Sequence, residues 1–233
     1  MKIGILKTDS VRAELVDEFG EYPGMFQQLL RAVDPELEFI VFDVEAGEFP
    51  QQLDVADGWL ITGSKSSVYE DKPWIHQLQQ LVQRLHQERR KLVGICFGHQ
   101  LVAQALGGAT EKSSKGWGVG VHAATFSARP NWSDDDAMEF RLLVSHQDQV
   151  TQLPPEAKIL AGSEFCENAV CQIGDHILTF QGHPEFVPAY SENLLNIRRD
   201  IIGEDNYRGG MASLSLPLDR GRVARWILNF LRA

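Results

Sequence analysis

A cysteine framed by two glycines, Gly94-Ile95-Cys96-Phe97-Gly98, restricts the fold of this chain more than any other feature. The apolar stretch Leu92-Val93-Gly94-Ile95 reads as a buried strand, and Leu101-Val102-Ala103-Gln104-Ala105-Leu106 continues beyond the cysteine as a helix. So narrow a frame predicts a sharp strand-to-helix turn, with the glycines giving it room. A side chain at the apex of such a turn is pushed out of the sheet edge. Backbone N–H groups and the positive end of the following helix lie beside it, which favours the nucleophilic thiolate. The competing reading is that Cys96 is a small buried hydrophobe, as free cysteines commonly are.

A second segment, Gln181-Gly182-His183-Pro184-Glu185, follows the apolar run Ile177-Leu178-Thr179-Phe180 and places His183 at another strand end. A cysteine nucleophile needs a base to carry its proton, and that base needs a partner to fix its tautomer. Glu185 lies two residues on, where extended chain puts side chains on one face. Pro184 biases His183 toward that extended conformation. Alone, His-Pro-Glu would read as a turn with a surface histidine. Combined with the elbow it forms a candidate triad, Cys96, His183 and Glu185.

The rest of the pattern gives both motifs a frame. Residues 3–6, 38–42 and 58–61 read as strands, 22–33 and 74–90 as helices; Ile75, Leu78, Val82 and Leu85 make the apolar face of the second helix. His76 and His86 fall on its solvated flanks. Strand and helix alternate as far as Gly107-Gly108, which predicts a parallel sheet with helices on both faces. From 119 to 173 short strands separated by turns predict an antiparallel extension, at 119–126, 140–145, 158–161 and 169–173. Two helices, 188–202 and 219–232, are expected to finish the chain, with 203–215 and its Gly209-Gly210 as a loose, mobile loop. Both motifs lie at the C-terminal ends of strands, where open α/β sheets build their sites.

Composition narrows the function. Lys and Arg number 22 against 32 Asp and Glu, a formal charge of −10, which argues against nucleic acid or an anionic membrane as partner. The run Asp134-Asp135-Asp136 reads as a solvated loop. Cysteines 96, 166 and 171 are odd in number and lack C-x-x-C spacing, so neither a disulfide scaffold nor a zinc site is expected. No apolar run reaches the length of a membrane span. The expectation is one cytoplasmic domain, 1–233, needing neither metal nor cofactor.

The sequence resembles the class I, triad-type glutamine amidotransferases and their hydrolase relatives. The resemblance rests on Gly94-Ile95-Cys96-Phe97-Gly98-His99-Gln100 and Gln181-Gly182-His183-Pro184-Glu185, with His183 87 residues beyond Cys96. Ile61-Thr62-Gly63-Ser64, Gly116-Trp117-Gly118 and Ser145-His146-Gln147-Asp148 support it in the same chain order. It implies a flavodoxin-like open, mostly parallel sheet with helices on both faces and an antiparallel β extension. It also implies an oxyanion hole at the backbone of Gly63 and Phe97. Gln100, together with Ser145, Gln147 and Asp148, would bind the amino-acid end of the substrate, while His146 would be structural.

The implied reaction is hydrolysis of a γ-glutamyl amide, glutamine to glutamate and ammonia, through a Cys96 thioester. The glutaminase portion of GMP synthases is a near match, and so are the plant γ-glutamyl peptidases, whose leaving amine is larger. Motifs do not separate the two, because that choice lies in pocket shape. A separate synthase subunit or a second copy of the chain would be the macromolecular partner. A non-catalytic binding module on the same fold is the remaining alternative. His99, His122 and His176 show no convergent partners in sequence and carry no expected chemistry.

Overall fold

The parallel half of the fold grows from strands that are apolar on both faces. A computed structural model describes residues 1–233. In chain order the elements are β1 (Lys2–Lys7), α1 (Ala13–Phe19), α2 (Tyr22–Arg31), β2 (Glu38–Asp43), β3 (Gly58–Ile61), α3 (Pro73–Gln87), β4 (Lys91–Ile95) and α4 (Phe97–Ala105). There follow β5 (Ala109–Lys112), β6 (Gly118–Phe126), β7 (Glu139–His146), β8 (Asp148–Gln152), β9 (Ala157–Gly162), β10 (Val170–Ile173) and β11 (Ile177–Phe180). Three helices close the chain: α5 (Pro188–Ile202), α6 (Glu204–Ser213) and α7 (Arg220–Arg232).

Nine strands form one sheet in the order β2-β1-β3-β4-β11-β10-β9-β6-β7. Pairing is parallel from β2 to β11 and antiparallel from β11 outward. This is the open α/β sheet with an antiparallel extension that the sequence pattern implied. Alternate residues of each parallel strand enter opposite cores. Leu60, Val93 and Ile95 pack under α2 and α7 with Phe26, Trp226 and Ile227. Trp59, Ile61 and Leu92 pack under α3 and α4 with Leu78, Val82 and Leu101. Each fully buried side chain of this kind contributes roughly 1.5–3 kcal/mol relative to exposure.

The segment 203–215 departs from expectation. It is not a loop: Glu204–Ser213 is helical. Gly209-Gly210 suggested flexibility, but a Cβ on Gly210 would stand 3.0 Å from Leu195 and 3.1 Å from Val119. Here the missing side chain serves close packing of α6 against α5 and β6. Glu204 also ties the helix start to Arg199 and Arg208. Two smaller features were not anticipated. Helix α1 buries only Leu15, and β5 pairs with β8 in a separate two-stranded sheet. His86, placed on a solvated flank by its spacing, is half-buried, with Nδ1 3.0 Å from His176 Nε2. The aspartates 134–136 do form a loop, and its acids pair with Arg225, Arg222 and Arg129.

Candidate active site

Three adjacent strands, β3, β4 and β11, end side by side and deliver Gly63, Cys96 and His183 to one place. Cys96 sits between the last residue of β4 and the first of α4 with φ 51° and ψ −98°. A non-glycine residue there costs about 1–3 kcal/mol and must be held by its surroundings. Its N–H donates to the Phe180 carbonyl (2.8 Å), and its own carbonyl receives the Gln100 N–H (3.0 Å). The flanking glycines explain how α4 can start so abruptly. A Cβ on Gly94 would lie 2.6 Å from the Gly98 carbonyl oxygen, and one on Gly98 2.7 Å from that of Ile61.

His183 is fixed from four directions. Its N–H donates to the Leu143 carbonyl on β7 (2.8 Å), so the antiparallel extension anchors the loop after β11. Its Nδ1 lies 2.7 Å from Glu185 Oε1, and the Phe186 ring stacks on the imidazole at 3.9 Å, 4° from parallel. The Nδ1–Cε1 side of the ring faces Gly63, where a Cβ would meet His183 Cε1 at 2.8 Å, Nδ1 at 3.6 Å and Cys96 Cβ at 3.7 Å. Burial favours the neutral imidazole most strongly. The combined pull of Glu185 and of the Cys96 sulfur outweighs it and raises the pKa of His183 to about 10.

The Glu185 carboxylate is completely buried, and its Oε2 has no hydrogen-bond partner. Its loop is held from behind by Arg220, whose Nε donates to the Pro184 carbonyl (2.8 Å) and whose Nη2 donates to that of Glu185 (3.0 Å). Nothing in the sequence motifs pointed to Arg220, which lies 35 residues beyond Glu185.

The candidate oxyanion donors are also placed. The N–H groups of Gly63 and Phe97 are not taken up by any other group of the protein. Thr8 Oγ1, 2.9 Å from the Gly63 carbonyl, and Thr62, which accepts the Thr8 N–H, anchor the Gly63 strand end to β1. Gln100 is buried and reaches toward the sulfur through an intermediary. Its Nε2 donates to the Asp148 carbonyl (2.8 Å) and to Gln181 Oε1 (3.1 Å), while Gln181 Nε2 lies 3.6 Å from Cys96 Sγ. Gln181 was quoted in the motif but given no role.

The 145–148 segment is less of a loop than its sequence suggests. Ser145 and His146 finish β7, Asp148 begins β8, and Gln147 alone connects them. The Ser145 hydroxyl accepts a hydrogen bond from Arg198 (2.8 Å), and the Gln147 carbonyl accepts the Ser113 N–H (3.0 Å). Asp148 Oδ2 accepts from Ser67 (2.6 Å). His146 Nδ1 lies 3.0 Å from the Asp148 carbonyl, and burial pushes its pKa down to about 3, so it is a neutral brace. His99, buried with Nδ1 2.8 Å from Thr179, is likewise pushed down to about 3. Cys96, Gly63, Gln100, Ser145, Gln147, Asp148 and His183 all line one cleft of about 800 Å³.

No three His, Cys, Asp or Glu side chains converge as a metal-ligand set, and no helix is long and apolar enough to cross a membrane. Cys166 and Cys171 are buried, and burial pushes both thiols up to about 12. A sulfur beside an imidazolium, a helix N-terminus and two free backbone N–H groups is equipped for acyl transfer.

Comparison with known proteins bears on the family and the fold. The family model described as glutamine amidotransferase class-I matches residues 14–196. Gamma-glutamyl peptidase 3 of Arabidopsis thaliana is 34% identical over 174 residues, covering 71% of this chain and 70% of the plant protein. The glutamine-hydrolysing GMP synthase of Aromatoleum aromaticum is 30% identical over 182 residues, 73% of this chain but 33% of that protein. The crystal structure of a glutamine amidotransferase from Thermotoga maritima superposes with a TM-score of 0.76 at 20% identity, covering 99% of this chain and 96% of the other.

Proposed function

This chain belongs to the glutamine amidotransferase class-I family, and from that premise we propose that it hydrolyses a γ-glutamyl amide through a thioester on Cys96. The observation that carries the reading is the position of His183. It is bound at Nδ1 by a buried carboxylate and stands beside Gly63, within hydrogen-bonding reach of the Cys96 sulfur. In the first step the Cys96 thiolate attacks the amide carbon and a C–S bond forms. The oxygen takes up the charge against the Gly63 and Phe97 N–H groups, donors that need no reorganisation. The C–N bond then breaks, and the nitrogen leaves with the proton of His183. Water attacks the thioester, His183 receives its proton, and the C–S bond breaks to release the γ-carboxyl product and restore the Cys96 thiolate.

Glu185 keeps the His183 Nδ1 protonated throughout, so the proton in transit is always the one on Nε2. Gln100, Gln147 and Asp148 receive the amino-acid end of the substrate on the α4–β8 side of the cleft. No step draws on a metal or an organic cofactor.

Glutamine is the simplest substrate. A larger leaving amine has specific support: the cleft of about 800 Å³ exceeds what release of ammonia needs, and relatives at about a third identity are named γ-glutamyl peptidases. In keeping with the likeness to GMP synthase, a separate synthase subunit taking up the ammonia is a compatible partner, as is a second copy of the chain. The test is mass spectrometry of the rapidly quenched enzyme with glutamine and with γ-glutamyl peptides. A γ-glutamyl adduct on Cys96 is expected. Its absence with every γ-glutamyl compound would replace the enzyme with a binding module on the same fold.

A further inference from the structure

The charge around the cleft runs against that of the chain. The chain carries a formal charge of −10, yet the cleft is lined by Arg12, Lys65, Lys112 and Arg198 against two carboxylates, Asp9 and Asp148. Both acids are already engaged. Asp9 holds Lys65 through its Nζ (2.5 Å) and its main-chain N–H (2.8 Å), and Asp148 accepts from Ser67. Arg12 pairs with Glu14, and Lys112, without an ion pair, is exposed to solvent. Arg198 is the half-buried cation of the four that makes no salt bridge, and it donates one hydrogen bond, to the neutral Ser145 hydroxyl. A partly desolvated guanidinium without a counter-charge is unfavourable until an anion meets it, and its planar fork suits a carboxylate.

The position of Arg198 says which part of a substrate it would meet. The leaving nitrogen takes its proton from His183, so the leaving group lies on the His183 side of the cleft. His183 is bridged to Leu143 on β7, two residues before Ser145, and Arg198 reaches that same wall from α5. The residues beside it are apolar and open to solvent. Ile197 and Ile201, one turn apart on α5, are 37% and 69% exposed and line the cleft together with Trp117. Trp117 packs against the Leu195–Ile202 side of the same helix.

Building on the hydrolase reading above, we propose that Arg198 is a specificity-determining residue that binds the carboxylate of the leaving group. The substrate class is then a γ-glutamyl amino acid whose second residue is apolar. Its α-carboxylate pairs with Arg198, and its side chain lies along Trp117, Ile197 and Ile201. Cys96 displaces the free amino acid, whose nitrogen takes the His183 proton, and water releases glutamate from the thioester.

The experiment compares γ-glutamylphenylalanine with γ-glutamyl-2-phenylethylamide, which differs only in lacking the carboxylate. One charged hydrogen-bonded pair predicts an advantage for the acid of about 10- to 100-fold in kcat/KM. Arg198→Met should reduce that ratio to near one, and Arg198→Lys should retain part of it. A wild-type ratio near one overturns the proposal. So does an Arg198→Met variant that lowers both substrates together and leaves the ratio intact, since that marks a structural arginine. Calorimetric binding of the two compounds to Cys96→Ala separates the subsite from the chemistry. If no compound acylates Cys96, tighter binding of the acid that disappears when Arg198→Met is added still upholds the subsite, and equal binding overturns it.

Discussion

Replacing Glu185 by Gln isolates the charge on the buried partner of His183 while keeping its size. The hydrogen bond to Nδ1, 2.7 Å in the native protein, changes from charged to neutral. Charged hydrogen bonds contribute about 1.5–3 kcal/mol and neutral ones about 0.5–1.5, so the variant loses roughly 1–2 kcal/mol of support for the imidazolium. At about 1.4 kcal/mol per factor of ten, kcat/KM should fall about 5- to 30-fold if the amide presents its oxygen to Nδ1. In that orientation its NH₂ occupies the place of Oε2, which has no partner. An unsatisfied buried donor there costs about 1–3 kcal/mol of stability. If the amide turns over instead, its NH₂ faces Nδ1 and enforces the wrong tautomer, and the loss of rate is far greater.

The pH profile tests the same reasoning by a different readout. Native His183 has its pKa raised from 6.5 to about 10. The imidazolium supplies the leaving group's proton, so the alkaline limb of activity should fall as pH passes through about 10 and move to lower pH in Glu185→Gln. The sign for stability follows from the same shift. A raised folded pKa contributes stability that is complete below about 6.5 and lost as pH rises through about 10. Thermal stability should therefore decline over that window in the native protein and less so in the variant. Glutamate release measured from pH 6 to 11 with a saturating substrate, alongside thermal melts at each pH, gives both curves. An alkaline limb that does not move, with a rate near wild type, would refute a charged Glu185 acting through His183.

Cys96→Ala should abolish turnover with the fold intact, and an electrophilic glutamine analogue should label Cys96 alone; peptide mapping that finds label on Cys166 or Cys171, whose thiols are held near 12, would contradict this. Gly63→Ala places a methyl 2.8 Å from the His183 ring and should reduce kcat about 100-fold or more by disturbing base and oxyanion donor together, with circular dichroism showing a folded protein. Arg220→Met removes both donors from the Pro184 and Glu185 carbonyls and should lower kcat about 10- to 100-fold through a misplaced triad loop, leaving KM nearly unchanged; an equal rise in KM would point to general loosening.

What could be read from the sequence is what short-range chemistry dictates. The Gly-x-Cys-x-Gly frame is local, and the positive φ of Cys96 and the close approaches at Gly94 and Gly98 follow from it. The Glu185–His183 contact spans two residues and was legible for the same reason. Helix 188–202 declares itself by Pro188 at its first position and Gly203 at its end. Contacts across long stretches of chain were not legible. Arg198 meets Ser145 over 53 residues, and Gln100 meets Gln181 over 81. The α6 glycines misled because local chemistry gives glycine two uses, freedom and close packing, and only the neighbours decide between them. At Gly210 the neighbours are Leu195 and Val119.

The long-range contacts also explain why the antiparallel extension belongs to the site. The parallel strands alone bring Gly63 and Cys96 together, because β3 and β4 are paired in register and end beside one another. Strand β11 is paired with β4 in the same way, but the loop leaves the sheet after Phe180 and the base stands three residues beyond it. Its main chain is fixed by the Leu143 carbonyl on β7, a strand at the far edge of the same sheet. Strand β7 is fixed in turn to the start of α7, where Asp219 accepts the Arg141 N–H and donates its own N–H to the Arg141 carbonyl. Arg220, the next residue, then grips the Pro184 and Glu185 carbonyls. The loop bearing His183 and Glu185 is therefore held between β7 and α7, with no reliance on its own length. A cysteine elbow can be set by one strand and one helix. A base that must stay within a fraction of an ångström of it needs this second frame, and the residues after the triad supply part of it.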